Sequence, residues 1–286
     1  MLTLEGVWMI MINSNLFQRT TYLMDIDFLI NNTIYEYDLS KANISILREM
    51  NIFSEDLYWQ FYNMDKHKRE VTIGKMIRKD KALGEALERG FIQARQMFFD
   101  ANNLTDNDVF AIKKDAIFTL RQVNTTHFLD KLDFKEKNLY TSFYKVPGYK
   151  IEYYFCKHPL TGEEKLDVKH LGVQQIPLHE GYMLELIHVL AYLAETDLMD
   201  AIDTISRFME LYKRREVDVG YYRTLDPNSK FVIASSVNAY DRFVADYILN
   251  DSDKQYLDIS YNYAILQGFY RMLAKQYFMS TRKPRC

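Results

Sequence analysis

The sequence has few cysteines and few of the residues that break secondary structure. Its 286 residues include 10 glycines, 5 prolines and 2 cysteines, Cys156 and Cys286. Without a Cys-x-x-Cys pair, zinc ribbons, iron–sulfur sites and a disulfide framework are not expected, and a reducing, cytoplasmic setting is favoured. The chain also lacks a P-loop, a Gly-x-Gly-x-x-Gly sequence and the His-Glu-x-x-His spacing of zinc proteases. Nucleotide binding by a glycine cradle is therefore not predicted.

The chain also lacks a strong charge of either sign and a long apolar run. Its formal net charge is −3, so we expect any nucleic acid to contact local basic patches rather than the molecule as a whole. The stretch Met1–Phe17 has no basic region ahead of its apolar residues and contains several polar ones. It is interpreted neither as a signal peptide nor as a membrane span, and no membrane partner is predicted.

Aromatic residues are abundant, with 22 tyrosines and 18 phenylalanines, and they supply material for a large core. Strand-like segments, including Gly6–Ile12 and Tyr149–Phe155, alternate with helices in the first part of the chain. From Glu180 onward the apolar spacing is helical, and one of the predicted helices spans Asn238–Leu249. The pattern predicts an α+β fold with a mixed domain at residues 1–176 and an all-helical domain at residues 177–286.

One stretch places a carboxylate directly between a strand and a helix. Thr33–Tyr37 is rich in β-branched and aromatic residues, Asp38 follows, and apolar residues spaced for one helix face come next. Asp38 and Ser40 could each cap the first turn of that helix, because their side-chain oxygens accept hydrogen bonds from free N–H groups. Alternatively, Asp38 stands where a metal is often held, at the carboxyl end of a strand.

A second carboxylate, Asp115, lies at the tip of a predicted hairpin. The apolar runs Val109–Ile112 and Ala116–Leu120 flank Lys113, Lys114 and Asp115, which do not form a favoured Asn-Gly or Asp-Gly turn. If the strand before Asp38 neighbours this hairpin, both carboxylates meet at one sheet edge. Such a pair can hold two divalent ions ~3.5–4 Å apart for phosphoryl transfer, and hard oxygen ligands suit Mg²⁺.

The residues around these two carboxylates resemble a known family. Asp38–Leu47 resembles motif A of family A nucleic-acid polymerases, Asp-x-Ser-x-x-Glu-x-x-Ile-Leu, with Asn43 at the Glu position. Phe110–Phe118 resembles motif C, a hydrophobic hairpin that carries the second metal-binding Asp. The resemblance implies a phage or viral polymerase palm with a short basic fingers-like insertion at residues 51–104 and a helical thumb after it. It implies that Asp38 and Asp115 are catalytic and bind Mg²⁺ or Mn²⁺, with the backbone carbonyl of Leu39 as a further ligand.

Basic residues supply the candidate phosphate contacts. The run at residues 65–81 is either a solvated helix face or a phosphate-contacting surface whose apolar residues anchor it. The three consecutive cations that start at Lys213 either end a helix favourably or clamp phosphate. The candidate nucleotide-binding residues are Ser40, Asn43, Arg69, Lys75, Arg78 and Lys79, and the candidate nucleic-acid-binding residues are Lys113, Lys114, Lys213, Arg214 and Arg215.

Three functional hypotheses follow. The first is a compact template-directed polymerase that performs two-metal nucleotidyl transfer, with nucleic acid, nucleoside triphosphates and other polymerase subunits as its partners. The second is a non-catalytic palm-like subunit that binds nucleic acid or acts as a scaffold in a replication or transcription assembly. The third is a structural phage protein in which Asp38 and Asp115 only cap a helix and form a turn.

Overall fold

The fold combines two antiparallel sheets with helices. A computed structural model describes residues 15–148, 150–157, 161–170, 182–222 and 259–281. Within these ranges there are seven α-helices and two sheets, so the predicted α+β fold class is confirmed. The chain divides into unit 1, formed by residues 1–25 and 33–139, and unit 2, formed by residues 26–32 and 140–286.

The sheet of unit 1 has five strands in the order β1-β4-β5-β3-β6. Strands β4 and β5 form the predicted hairpin, and β5 pairs antiparallel with β3. The strand that precedes the first candidate carboxylate is therefore the direct neighbour of the hairpin that carries the second. The bounds of the first six strands are β1 Thr21–Leu23, β2 Phe28–Leu29, β3 Ile34–Leu39, β4 Val109–Lys113, β5 Ala116–Thr119 and β6 Phe134–Tyr140.

Four helices of unit 1 lie between β3 and β4 in the sequence, and side-chain caps fix the start of three of them. Ser54 caps the second helix by accepting a hydrogen bond from the N–H of Leu57, as its sequence predicts. Asp65 and Asp80 cap the third and fourth helices in the same way. The bounds are α1 Ala42–Glu49, α2 Glu55–Tyr62, α3 Lys66–Lys79 and α4 Lys81–Ala101.

The core of unit 1 lies between one face of β3 and the long helix α4. Alternation along β3 places Tyr37 and Leu39 in this core, and the ring of Tyr37 lies 5.4 Å from that of Phe98 on α4. Helices α1 and α4 approach closely at Gly90, where an added Cβ would collide with the side chain of Ile46. A glycine is required there because only a residue without a side chain leaves room for this contact. The core thus holds α1, and the strand end before it, against α4.

Unit 2 contains the second sheet, with strand order β2-β7-β8-β9, and its described residues include three α-helices. Its core includes Tyr144, whose ring lies 4.6 Å from that of Phe269. The remaining bounds are β7 Ser142–Lys145, β8 Glu152–Lys157, β9 Glu164–Lys169, α5 Met183–Thr196, α6 Leu198–Arg214 and α7 Ile259–Thr281, with short 3-10 turns at Leu16–Gln18 and Val219–Tyr222.

Some predictions fall outside the described residues. These are the strand Gly6–Ile12, the helix Asn238–Leu249 and the domain boundary at residues 176 and 177. The division into palm-like and thumb-like domains therefore stays a prediction. The two compact units separate earlier in the chain, between Leu139 and Tyr140, and β7–β9 belong to the same unit as the C-terminal helices. Among the described helices, none is long and apolar enough to cross a membrane.

Candidate functional site

The end of β3 lies directly beside the turn of the β4–β5 hairpin. Asp38 stands opposite Ala116 in the antiparallel pairing, and the N–H of Leu39 donates to the carbonyl oxygen of Asp115 at 3.0 Å. Lys114 and Asp115 form the two-residue turn, with Lys114 at a φ of 60°. Asp38 and Asp115 are 77 positions apart in the sequence, but the sheet register brings them together at one edge.

The prediction that Asp38 and Ser40 cap helix α1 is wrong. The N-cap residue of α1 is Lys41, at a φ of 47°, and no side-chain capping hydrogen bond is present there. The backbone of Ser40 instead bridges two neighbours, because its N–H donates to the Asp133 carbonyl at 2.9 Å and its carbonyl accepts from the Ser45 hydroxyl. Asp38 is therefore the penultimate residue of β3, and its carboxylate caps no helix.

Both carboxylates line one cavity of about 400 Å³ in unit 1. The wall of this cavity combines the three predicted metal ligands with residues from α1, α3 and the hairpin turn. Six of the predicted site residues are among its lining. The lining residues are Asp38, Leu39, Lys41, Ala42, Asn43, Lys66, Arg69, Glu70, Lys114 and Asp115.

Cations outnumber carboxylates in this wall. Three carboxylates and four basic side chains give the lining a formal charge of +1. Arg69 is only 6% exposed, and its Nη1 donates to the carbonyl of Met64 while its Nε approaches Glu70 at 3.4 Å. Glu70 also accepts a 2.7 Å hydrogen bond from the side-chain amide of Asn43. This chain of contacts holds one buried guanidinium and one amide at the cavity, both of which can donate to phosphate oxygens.

Two of the other cations of the cavity, Lys41 and Lys114, rest on aromatic rings. The Nζ of Lys41 lies 2.7 Å from the ring centroid of Tyr62 and donates to the Tyr62 carbonyl. Lys114 Nζ lies 5.2 Å from the ring centroid of Phe91. An ammonium group on an aromatic face is held in place while it keeps free N–H donors. The cavity therefore presents donors from three different elements.

The two carboxylates act on each other electrostatically. Burial raises the pKa of Asp115, and the negative charge of Asp38 raises it further. Lys137 of β6 partly offsets this repulsion, since its Nζ lies 3.5 Å from Asp38 Oδ2 and 3.8 Å from the buried carboxylate of Glu36. Burial alone would lower the pKa of Lys137, but the charges of Asp38 and Glu36 raise it overall. The site is therefore a crowded acidic pair that needs a counter-cation.

The donor chemistry of this pair suits a divalent ion with an incomplete protein ligand set. Carboxylate oxygens and a backbone carbonyl are the hard ligands that Mg²⁺ takes, and Mg²⁺ normally draws its other ligands from water and substrate phosphates. The described residues contain no group of three or more His, Cys, Asp or Glu side chains placed to hold a metal ion. Asp38, Asp115 and the carbonyl of Leu39 are the kind of hard oxygen ligands that a magnesium site completed by a substrate would use.

A buried arginine holds the hairpin turn that carries Asp115. Arg95 of α4 is 1% exposed, and its Nη1 donates to the carbonyl of Lys114 at 2.9 Å. Its Nε donates to the carbonyl of Phe17 at 2.7 Å. Burial lowers the pKa of Arg95 to about 10, so the guanidinium stays charged at neutral pH. Helix α4 thus fixes the backbone immediately before Asp115.

Other predicted site residues lie elsewhere. Lys75, Arg78 and Lys79 are exposed on α3 and do not line the cavity, although Arg69 from the same helix does. Ser40 and Lys113 are also absent from its lining. The three cations that begin at Lys213 belong to unit 2, where Lys213 and Arg214 form the last turn of α6 and Arg215 caps it. There they complement the helix dipole, as the first of the two interpretations held.

Sequence reasoning missed several residues that complete the site. Lys41 and Lys66 were inside the motif and the basic run but carried no individual signal, and Glu70 was counted only as a charge. Glu36 precedes Asp38 by two positions in a strand, so alternation could have placed both on one face. Nothing in the sequence indicates Arg95 or Lys137, because only the tertiary fold brings them to the carboxylates.

These features define an α+β protein with a mixed-charge cavity beside a strand end and a hairpin turn. A family model described as Bacteriophage PBS1 gene 130 protein matches residues 11–275. Because this match covers most of the chain, the chain belongs to that phage protein family. A comparison with curated proteins finds no match. The phage origin predicted from the sequence is thus supported, whereas polymerase activity stays a prediction.

Proposed function

We propose that the cavity of unit 1 is a nucleotidyl-transfer site that binds nucleoside triphosphate with a divalent cation, and that the chain is a compact template-directed polymerase. The observation that carries the proposal is the convergence of Asp38 and Asp115 on one cavity that also holds four basic side chains. Carboxylates bind the metal in such sites, and cations bind the phosphates. Both kinds of group are present here within one unit.

The chain's own residues have separate roles in this proposal. Asp38, Asp115 and the Leu39 carbonyl would hold Mg²⁺ or Mn²⁺, which when bound supplies charge stabilisation at the reacting phosphate. Lys41, Lys66 and Arg69 would orient the triphosphate from the α1 and α3 side. These roles need no glycine cradle, in agreement with the lack of a P-loop sequence.

A specific observation favours the second candidate, a non-catalytic palm-like subunit that binds nucleic acid. Lys137 already lies against Asp38, and an ammonium group at that position can replace a metal as the counter-charge. In that case the cavity would bind phosphates of a nucleic acid without chemistry. The two candidates differ in whether a divalent ion binds between Asp38 and Asp115.

The test is nucleotide incorporation by the purified chain with Mg²⁺ or Mn²⁺, a primed template, and deoxyribonucleotides or ribonucleotides in turn. Asp38→Asn and Asp115→Asn should each reduce incorporation by at least about a hundredfold, because each removes a metal-binding charge. Asp106→Asn is the matched control, since Asp106 is an exposed acid of unit 1 that does not line the cavity.

Metal binding is measured separately as the rise in melting temperature that Mg²⁺ causes. We expect a rise for the wild type and for the Asp106 variant, and none for the two cavity variants. Normal incorporation by both cavity variants would refute the catalytic proposal. Oligonucleotide binding without incorporation and without any Mg²⁺ effect would favour the non-catalytic subunit instead.

A further inference from the structure

A cluster of aromatic side chains on α2 borders the cavity. We call the exposed rings of Trp59 and Tyr62 the aromatic patch, and Tyr58 packs beside both of them from the core. Trp59 and Tyr62 are 43% and 37% exposed, and their ring centroids lie 5.0 Å apart. Single exposed apolar residues are common on protein surfaces, whereas contiguous exposed apolar patches mark interaction sites. The two adjoining rings are therefore a candidate interaction surface.

The aromatic patch is continuous with the cationic cavity. Lys41 lines the cavity, and the same ammonium group lies over the ring of Tyr62. Lys66, which follows Tyr62 by four positions at the start of α3, also lines the cavity. Flat rings and phosphate-binding cations are thus placed side by side within unit 1.

The acidic residue nearest the rings is already engaged. Glu55 accepts hydrogen bonds from Trp59 Nε1 at 2.7 Å and from Arg48 Nε at 2.8 Å, and these bonds hold the pKa of its carboxyl below the usual value. Lys131 lies 5.1 Å from the ring centroid of Trp59, and its ammonium group pairs with Asp130 at 2.9 Å and with Glu55 at 3.8 Å. The cationic side of the rings is therefore the side of Lys41.

We infer that the aromatic patch stacks unpaired bases of a single-stranded nucleic acid whose phosphates lie along the cationic rim of the cavity. Aromatic rings beside cations are the chemistry that binds single strands without sequence preference, because every base has a flat face and every nucleotide a charge. The inference deepens the proposed function by naming where the strand is held, and it rests in part on the same cavity. It needs no metal and no catalysis.

The first measurement compares strands that differ only in their bases. Fluorescein-labelled oligothymidylate, oligouridylate and an abasic phosphodiester strand of equal length are titrated with the intact chain in EDTA, and anisotropy gives the affinities. We expect both base-bearing strands to bind more tightly than the abasic strand, and their difference identifies DNA or RNA. In a Trp8→Phe chain, Trp59 is the remaining tryptophan, and only the base-bearing strands should quench its fluorescence.

The second measurement removes the ring. Trp59→Ala should weaken binding of the base-bearing strands roughly ten- to hundredfold, as for other stacking residues, and leave the abasic strand unaffected. Trp59→Leu keeps apolar bulk without the aromatic face and should show a similar loss, and melting curves verify that both variants fold. Tyr192→Ala is the matched control, since Tyr192 is also 37% exposed beneath a lysine but belongs to unit 2.

The outcomes separate this inference from the proposed function. Equal affinity for base-bearing and abasic strands, or normal binding by Trp59→Ala, would overturn the inference even if nucleotide incorporation is observed. Self-association of the chain that Trp59→Ala abolishes, with no change in strand binding, would overturn it in favour of a second copy as the occupant. Retention of base-dependent binding by Asp38→Asn in EDTA would support it even if the catalytic proposal fails.

Discussion

Arg95 offers the sharpest test of how the fold positions Asp115. Its guanidinium is buried and joins the hairpin turn, through the carbonyl of Lys114, to the segment that contains Phe17. Arg95→Met keeps the length and apolar stem of the side chain but removes both hydrogen bonds. Arg95→Lys keeps the charge but replaces the fork of donors with a single ammonium group.

The hydrogen bonds of Arg95 and the desolvation of its charge can be compared as free energies. A hydrogen bond to a charged group contributes about 1.5–3 kcal/mol, so the loss of both bonds costs about 3–6 kcal/mol. Burial lowers the pKa of Arg95 from 12.5 to about 10, and at ~1.4 kcal/mol per pKa unit this penalty is roughly 3 kcal/mol. Methionine carries no desolvation penalty, so subtracting that penalty leaves Arg95→Met destabilising unit 1 by about 0–3 kcal/mol. Lysine retains a buried charge and reaches one carbonyl at most, so Arg95→Lys should cost about 3 kcal/mol, at the upper end of that range or above it.

The assay is urea unfolding of the Trp8→Phe chain, followed through the fluorescence of Trp59 so that unit 1 is reported. Both variants should also lose much of the Mg²⁺-induced rise in melting temperature, because the Asp115 turn is no longer held. Arg89→Met is the control, since Arg89 is an exposed arginine of the same helix. If Arg95→Lys proves more stable than Arg95→Met, burying the lysine charge costs less than losing the hydrogen bonds, and the reasoning is refuted.

Two further predictions concern the charges at the site. The pKa of Asp115 is raised in the folded chain. The free energy of unfolding therefore decreases as pH rises from the ordinary carboxyl pKa through the raised one and Asp115 ionises. Asp115→Asn should therefore melt at a higher temperature than the wild type at pH 7, and the advantage should vanish as pH falls toward the ordinary carboxyl value of 3.8. Lys137→Met should lower the melting temperature in EDTA and strengthen Mg²⁺ binding several-fold, since Lys137 and the metal neutralise the same carboxylates. Lys135→Met, which changes an exposed lysine of the same strand, should do neither, and equal Mg²⁺ binding by both lysine variants would contradict the competition.

Local sequence signals predicted the elements of unit 1 closely. Ser54 and Asp80, residue types that favour helix N-caps, cap α2 and α4. The two apolar runs around Lys114 predicted the hairpin. These features were predictable because capping bonds and hydrophobic periodicity join residues that are only a few positions apart in the sequence.

Local signals failed where the backbone took an uncommon conformation. Asp38 and Ser40 have the side chains of capping residues, but Lys41 adopts a left-handed conformation and begins α1 without a side-chain cap. Lysine carries no strong preference for that conformation, so nothing in the local sequence predicts it. This difference matters for Asp38, because a capping hydrogen bond would have occupied the carboxylate that is the candidate metal ligand.

The rest of the site could not be predicted because it depends on contacts across the fold. Lys137 reaches Asp38 across 99 positions, and Arg95 reaches Phe17 across 78. The run that contains Arg69 was interpreted either as a solvated helix face or as a phosphate-contacting surface, and packing buries Arg69 at the cavity wall while Lys75 and Lys79 stay exposed. A basic run thus indicates that phosphate could be bound, but only the fold selects which member of the run can do so.

The charge of the cavity predicts how the two candidate functions respond to Mg²⁺. Without a divalent ion, Lys137 is the counter-charge of Asp38, and the four cations of the lining outnumber its three carboxylates. When an ion of charge +2 binds the two aspartates, the formal charge of the lining rises from +1 to +3. That change strengthens the attraction for a triphosphate, which carries several negative charges, much more than for a single backbone phosphate. A catalytic site should therefore bind triphosphate far more tightly with Mg²⁺ than in EDTA, whereas a nucleic-acid scaffold should bind its strand almost equally in both.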